Sequence, residues 1–255
     1  MSPKSPKQRV PADDSWWTES KHLETHLKYM EKPKLEKPIA IVGAPGLRSV
    51  GRMAVAFLVR VLDAKLFAEL YSPKFCSIFS GPSYLGFPGL PGGIEYEGAI
   101  DLPKVRFYHH KNLILTMGIQ ADVQGQYEVA SKTVEFYEEL GVKKIIALAG
   151  HGSGGKKVFC AATDAEMLKE LEKYNLQKRE SGEFYGFSAL VLGIGKLRKM
   201  DGFCIFGETS LSAEMEYPDV AATKIVLDRL CLILGLDLST SALEPAVVER
   251  DLNYG

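Results

Sequence analysis

The stretch IVGAPGLRSVGRMAVAFLVRVL, Ile41 to Leu62, decides the fold class. It begins as a short apolar run and turns through Gly43, Pro45 and Gly46. Apolar residues then recur at helical spacing. Val50, Ala54, Phe57, Leu58, Val61 and Leu62 share one face, with Arg52, Arg60 and Asp63 opposite. Strand–glycine–helix junctions also build phosphate sites, because helix N-termini present free N–H groups. The junction therefore reads either as a nucleotide site or as a turn that serves packing.

The residues favour packing. Gly46 and Gly51 have the GxxxxG spacing of a P-loop, but Arg52 and Met53 stand where that loop needs Lys and a hydroxyl for magnesium. Gly43, Gly46 and Gly51 are also spaced wrongly for a dinucleotide fingerprint. As a structural loop the parts have simple uses. Gly43 and Gly46 let the backbone turn, Pro45 stiffens it, and Gly51 lets the helix approach the sheet.

Working outward, strands and helices alternate. AKLFAELY, VRFYHH, NLILTMGI, KKIIALAG, KVFCAAT and GFCIFG read as strands. A helix with a stripe of Tyr127, Ala130, Val134 and Tyr137 ends at Gly141, and Asp164 is placed to cap AEMLKELEKYN. Pro218 opens a last long helix that Gly235 closes, apolar around much of its girth and so expected to be buried. This rhythm implies an α/β fold, a three-layer α/β/α arrangement on a sheet. FSGPSYLGFPGLPGGIEYEG interrupts it as a hairpin or long loop, which implies a mixed sheet. Residues 1–37 are rich in Lys, Pro and Glu and read as an N-terminal arm, partly disordered or holding one short amphipathic helix over SWWTESKHLETHLKYM. Residues 38–244 form the α/β domain, and 245–255 a C-terminal helix and tail.

Composition narrows the function classes. The 255 residues carry a net charge of -1, so no global field recruits nucleic acid or a membrane. No apolar run is long enough to span a bilayer, and the expected location is the cytoplasm. Cys76, Cys160, Cys204 and Cys231 are scattered without a CxxC pair, which suits reduced core residues. The acidic residues show no metal-ligand spacing, and no cofactor is expected.

A second glycine-rich stretch, Gly150 to Lys157 (GHGSGGKK), matches GxxxxGK. Lys157 replaces the hydroxyl residue, and the following VFCAAT reads as a strand where a P-loop needs a helix. Strand–loop–strand is hairpin-like. Polar residues gather near expected strand ends: Gln120, Asp122 and Gln124, then His151, then Glu208, Thr209 and Ser210. In α/β sheets those ends form the default ligand crevice. Gln124, His151, Ser153 and Glu208 are its candidate residues, with His151 the best single catalytic candidate. No Ser lies in a GxSxG elbow.

Three stretches together resemble a known family. IAIVGAPGLRSVGRMAVAFLVRVL matches its G-x-P-G-x-x-x-V-G turn and apolar helix. IQADVQGQYEVASKTVEFYEELGVKKIIALAGH looks like its central loop, helix and strand. GETSLSAEMEYPDVAATKIVLDRLCLILGLDLSTSALE is similar to its closing segment, with a PD-x-A-A helix start. The family is that of the proteasome assembly chaperones, of the second-chaperone type widespread in archaea. The resemblance covers residues 38–244. It implies a non-enzymatic homo-oligomer that binds proteasome core-particle α-subunits, with a second assembly chaperone as a further partner. It also implies an α/β/α fold shaped like that of nucleoside phosphorylases. Some relatives dock a C-terminal hydrophobic–Tyr–any tripeptide between α-subunits. Here the chain ends Asn253-Tyr254-Gly255, with the tyrosine correctly placed and Asn253 departing from the pattern. The alternative to a chaperone is an enzyme or small-ligand binder that uses the strand-end crevice.

Overall fold

The structure is a computed structural model that describes residues 24–79, 89–96, 98–180, 182–210 and 217–243. The first strand, β1 (His26–Tyr29), lies inside the segment expected to be helical. It pairs antiparallel with β3 (Lys65–Tyr71), His26 opposite Tyr71 and Tyr29 opposite Ala68. The open edge of β3 offers a row of backbone partners, and that outweighs a weak local helical pattern. Tyr29 also sets its ring edge against Phe136, centroids 5.4 Å apart. Trp16 and Trp17, the rest of the expected helix, lie outside the described residues, as do residues 244–255.

The core of the sheet is parallel. β2 (Ile39–Gly43) lies between β9 (Leu113–Met117) and β10 (Lys144–Gly152), and β13 (Asp201–Thr209) follows β10. The flanks are antiparallel: β8 (Lys104–His110) runs against β9 and β3, and β11 (Val158–Ala162) against β13. β12 (Gln177–Lys178) pairs with β11 to close the order β1-β3-β8-β9-β2-β10-β13-β11-β12. The interrupting loop adds two small hairpins, β4 (Ile78–Phe79) with β5 (Gly89–Leu90), and β6 (Ile94–Tyr96) with β7 (Ala99–Asp101). Tyr84, Leu85 and Phe87 of that loop lie outside the described residues.

Strand alternation sends side chains to opposite faces. Ala40, Val42, Ile145, Ala147, Cys204 and Phe206 point to one face, where α2 (Gln126–Glu139) and α4 (Phe187–Leu197) pack. Ile41, Ile146, Leu148, Phe203 and Ile205 point to the other, under α1 (Val50–Val61), α3 (Ala165–Glu172) and α5 (Val220–Leu234). The fold is thus the expected three-layer α/β/α sandwich with a mixed central sheet.

Local signals explain the helices. Asp164 caps α3 by accepting from Met167 N at 2.8 Å. Asp219, rather than Pro218, caps α5 through Ala222 N at 2.9 Å, and Gly235 ends it in the left-handed region at φ 65°. Two expectations about faces change. Arg52 does not face solvent: α1 is buried from Val50 to Leu58, held between the sheet and α5. Conversely, α5 buries only one face, and Leu232 is 54% exposed.

Candidate functional site

The four parallel strands end along one sheet edge, at Met117, Gly43, Gly152 and Thr209. The turn after β2 is shaped by backbone contact. A Cβ on Gly43 would lie 2.0 Å from Gly51 O, and a Cβ on Gly51 2.0 Å from Leu148 O. The first turn of α1 therefore rests directly on β10. Gly46 has no such duty: its backbone is extended at φ -165°, and an added Cβ would meet nothing nearer than Ala44 O at 3.9 Å. The left-handed conformations fall instead on Arg48 (φ 50°) and Ser49 (φ 51°), which costs of order 1–3 kcal/mol each. Arg48 is anchored in that posture. Its Nε donates to Tyr217 O at 2.7 Å and its Nη1 to Ser210 Oγ at 2.8 Å, while its carbonyl accepts from Asp219 N at 3.0 Å. The carbonyl of Pro45 accepts from Gln120 Nε2 at 2.9 Å.

The second glycine stretch is not a hairpin. β10 and β11 do not pair; each lies beside β13, so residues 153–157 cross over its end. Glu208, near the tip of β13, holds that crossing. Its carboxylate accepts from Ser153 Oγ and from Lys157 N at 2.7 Å, and its own N–H donates to Lys157 O at 2.9 Å. Ser153 N and Gly154 N donate to Thr209 O at 3.1 and 2.9 Å. A Cβ on Gly155 would lie 2.0 Å from Glu208 Oε2, so the loop closes tightly on the carboxylate. The Ser153 hydroxyl, then the Lys157 amide, holds the Glu208 carboxyl below its ordinary pKa. The glycine loop thus wraps a carboxylate of its own chain.

A cleft of about 270 Å³ opens beside these loops. The turn Ala44–Leu47, the end of β10, Arg179 and residues of the stretch Glu183–Ser188 line it. His151 belongs to it and sets its ring edge-on to Phe159 and Phe206, centroids 5.3 and 6.4 Å away. Burial first, then the Arg179 charge, lowers the His151 pKa, although Glu208 opposes the shift. The imidazole is neutral near pH 7. Ser153 and Glu208 stand together in the clamp and do not line the cleft; Gln124 is exposed on the loop before α2, apart from it.

Several lining residues escaped the sequence reading. Phe184, Tyr185 and Phe187 bracket Gly186, whose φ of 84° only glycine adopts easily, and α4 follows at once. Arg179 lays its guanidinium 5.0 Å over the Phe206 ring and donates from Nη2 to Glu183 O at 2.7 Å. The signal was the aromatic run Phe184-Tyr185-Gly186-Phe187, which sits between recognised elements. Among the described residues, no group of His, Cys, Asp and Glu is arranged to hold a metal. All four cysteines are free and buried.

The sequence profile of the PAC2 family matches residues 40–251, from inside β2 to beyond the described domain. The chain belongs to the PAC2 family. Two solved structures of similar shape come from Pyrococcus furiosus. PbaB, described as an archaeal proteasome activator, is 30% identical with a TM-score of 0.74, covering 91% of this chain and 97% of PbaB. PbaA, described as an archaeal homolog of proteasome-assembly chaperone, is 27% identical with a TM-score of 0.71, covering 90% and 95%. Uncharacterized protein MJ1210 of Methanocaldococcus jannaschii is 29% identical over 220 residues, 82% of this chain and 79% of its own. The matched residues include the strand-end loops and those that line the cleft. No helix among the described residues is long and apolar enough to cross a membrane.

Proposed function

We propose that this PAC2 chain is a non-enzymatic assembly chaperone or scaffold that binds proteasome α-subunits as a homo-oligomer. The observation that carries the reading is the near-full-length likeness to PbaB and PbaA, one described as a proteasome activator and the other as a homolog of an assembly chaperone. The site chemistry agrees. Ser153 gives its hydroxyl hydrogen to a carboxylate, with no histidine between them to act as base. His151 is surrounded by rings rather than oriented by an acid. Self-association is supported by apolar side chains on and beside the small hairpins: Leu90 is 67%, Ile100 83% and Leu102 44% exposed.

In this reading the tail Asn253-Tyr254-Gly255, which lies outside the described residues, contributes docking strength. Several copies on one oligomer multiply weak contacts through effective concentration. The test is affinity for free α-subunits, for an α-subunit ring and for the complete core particle, with mass from light scattering. Preference for α-subunits or their ring supports assembly, and preference for the complete particle points to activation. Binding to none of these overturns the reading, and a monomer mass at micromolar concentration removes the oligomer. Deleting residues 253–255 is expected to weaken binding and leave the mass unchanged. Equal affinities would move the contact to the body of the protein.

A further inference from the structure

A groove of about 410 Å³ opens on the β1-β3-β8 flank of the sheet. It lies where these three adjacent strands stop pairing. Glu24 precedes β1, Ser72 follows β3 and Pro103 precedes β8, and all three line it. Phe75 and Leu102 add apolar surface, and so does the linker from Pro91 to Gly93 between the two small hairpins. Among the described residues, Glu24 is the one charged residue of the lining. Leu102 is 44% exposed, so apolar surface of the groove stands open to solvent. Leu90 and Ile100 are outside the lining and stay available for self-association.

The chain enters the described structure on the wall of this groove. His26 stands opposite Tyr71 in the antiparallel pair. The Thr25 hydroxyl fixes the next step, meeting Ser72 Oγ at 2.8 Å and the Glu128 carboxylate of α2. Glu24 then joins Ser72 and Pro73 in the lining. Followed backwards, the strand direction leads along Ser72 to Phe75 rather than away from the domain. Residues 1–23 lie outside the described ones, but their composition is uneven. Trp16 and Trp17 stand side by side in a stretch rich in Lys, Pro, Asp and Ser, and they are the only tryptophans of the chain. Rings of that size gain much from burial. Trp17 precedes Glu24 by seven positions, a separation that spans at most about 25 Å when fully extended. That reach confines the rings to the surroundings of Glu24.

We propose that Trp16 and Trp17 of the chain's own N-terminal arm seat in this groove. Phe75, Leu102 and the prolines supply apolar contact. The Glu24 carboxylate is an acceptor for an indole N–H, the partner such a ring needs when buried. Tethering favours these rings over any other occupant. Held through residues 18–23, their effective concentration is on the order of millimolar, above that of a second copy at micromolar concentration. Seated there, the arm anchors the four-residue strand β1 from its N-terminal side.

The inference does not rest on the chaperone reading, and its test needs no proteasome subunit. With both tryptophans in the arm, the tryptophan fluorescence of the full chain reports the arm alone. Emission position and acrylamide quenching are compared with those of a peptide of residues 1–23. The full chain is expected to emit to the blue of the peptide and to be quenched at least twofold less. Leu102→Lys and Pro91→Asp each put a charge in the groove from an exposed position. Either variant, with its fold checked by circular dichroism, is expected to emit to the red of the parent and to lose at least half of that protection. Leu232→Lys, at an exposed position of α5 outside the lining, is the control and is expected to change neither reading. Emission and quenching like those of the peptide would leave the rings in water, and the proposal falls. It falls also if both groove variants keep the parent's values, or if the control reddens as far as they do, since the rings would then sit elsewhere. Emission that reddens on dilution in step with loss of oligomer mass would assign the rings to a second copy and overturn it too.

Discussion

Replacing Gly51 by Ala tests whether the opening turn exists to bring a helix onto the sheet. The added Cβ would stand 2.0 Å from Leu148 O and 2.8 Å from Leu148 C. Both are backbone atoms of β10, which is bonded to a parallel strand on each side and cannot swing aside as a side chain would. Reaching an ordinary contact of 3.4 Å asks α1 to retreat by about 1.4 Å. That retreat would loosen the contact of the helix with Ile41, Ile146 and Leu148 and its packing against α5. Overpacking of a well-filled core costs about 1–3 kcal/mol. A clash against fixed backbone belongs at the top of that range, so about 3 kcal/mol is expected. For a domain of this size each kcal/mol lowers the midpoint by about 2–4 °C, which gives a fall of about 6–12 °C. Gly46→Ala is the internal control, because its Cβ meets nothing nearer than 3.9 Å and its backbone is extended. It is expected to melt within about 2 °C of the parent, the effect of under 0.5 kcal/mol. Calorimetric melting of the three proteins at equal concentration decides the matter. Gly51→Ala melting like the parent, or Gly46→Ala falling as far as Gly51→Ala, would refute the packing argument.

Three further outcomes follow from other contacts. The Glu208 carboxyl binds its proton less tightly when folded than its ordinary value of 4.5, so its stabilisation is complete above that pH and fades as pH drops through the lower folded value. A Glu208→Gln variant should therefore show a shallower acid limb in midpoint against pH, and an unchanged limb would place the acid sensitivity elsewhere. Asp219→Ala removes the cap of α5 together with the bond from Thr209 Oγ1 to the Asp219 carboxylate; chemical denaturation should show a loss of about 1–2 kcal/mol, and a loss under 0.3 would deny the cap its role. With both glycine stretches lacking a hydroxyl for magnesium and the second closed on Glu208, magnesium-dependent ATP turnover is expected to be zero; turnover that disappears in Lys156→Ala would reverse that expectation.

The architecture was legible because the parallel core writes itself in short, continuous apolar runs. Strands such as Lys144–Gly152 and Asp201–Thr209 are covered by helices on both faces, and their bounds stand close to the expected ones. Strand β1 was illegible because four residues become a strand only when the edge of β3 is there to pair with them. Helix α4, FSALVLGIGKL, hid behind two glycines and an apolar face too wide to read as a stripe. At the crevice, the sequence brought forward His151, Ser153 and Glu208, but not the way Glu208 divides them. Only the crossing of residues 153–157 over β13 shows that two of the three hold a loop while the third faces a cleft. Arg179 was out of reach for a similar reason. It directly follows the two-residue edge strand β12, which has almost no pattern of its own.

The carboxylate inside the glycine loop has a bearing on how the protein meets the cell. A phosphate loop of an ordinary nucleotide-binding protein is ordered when its ligand is abundant and loosened when it is scarce. Here the anion is tethered to the same chain, so its effective concentration does not vary with metabolism. The loop is always loaded, and it releases no product that would let it cycle. Its shape is therefore insensitive to the energy state of the cell, and whatever surface it presents to a partner is offered continuously.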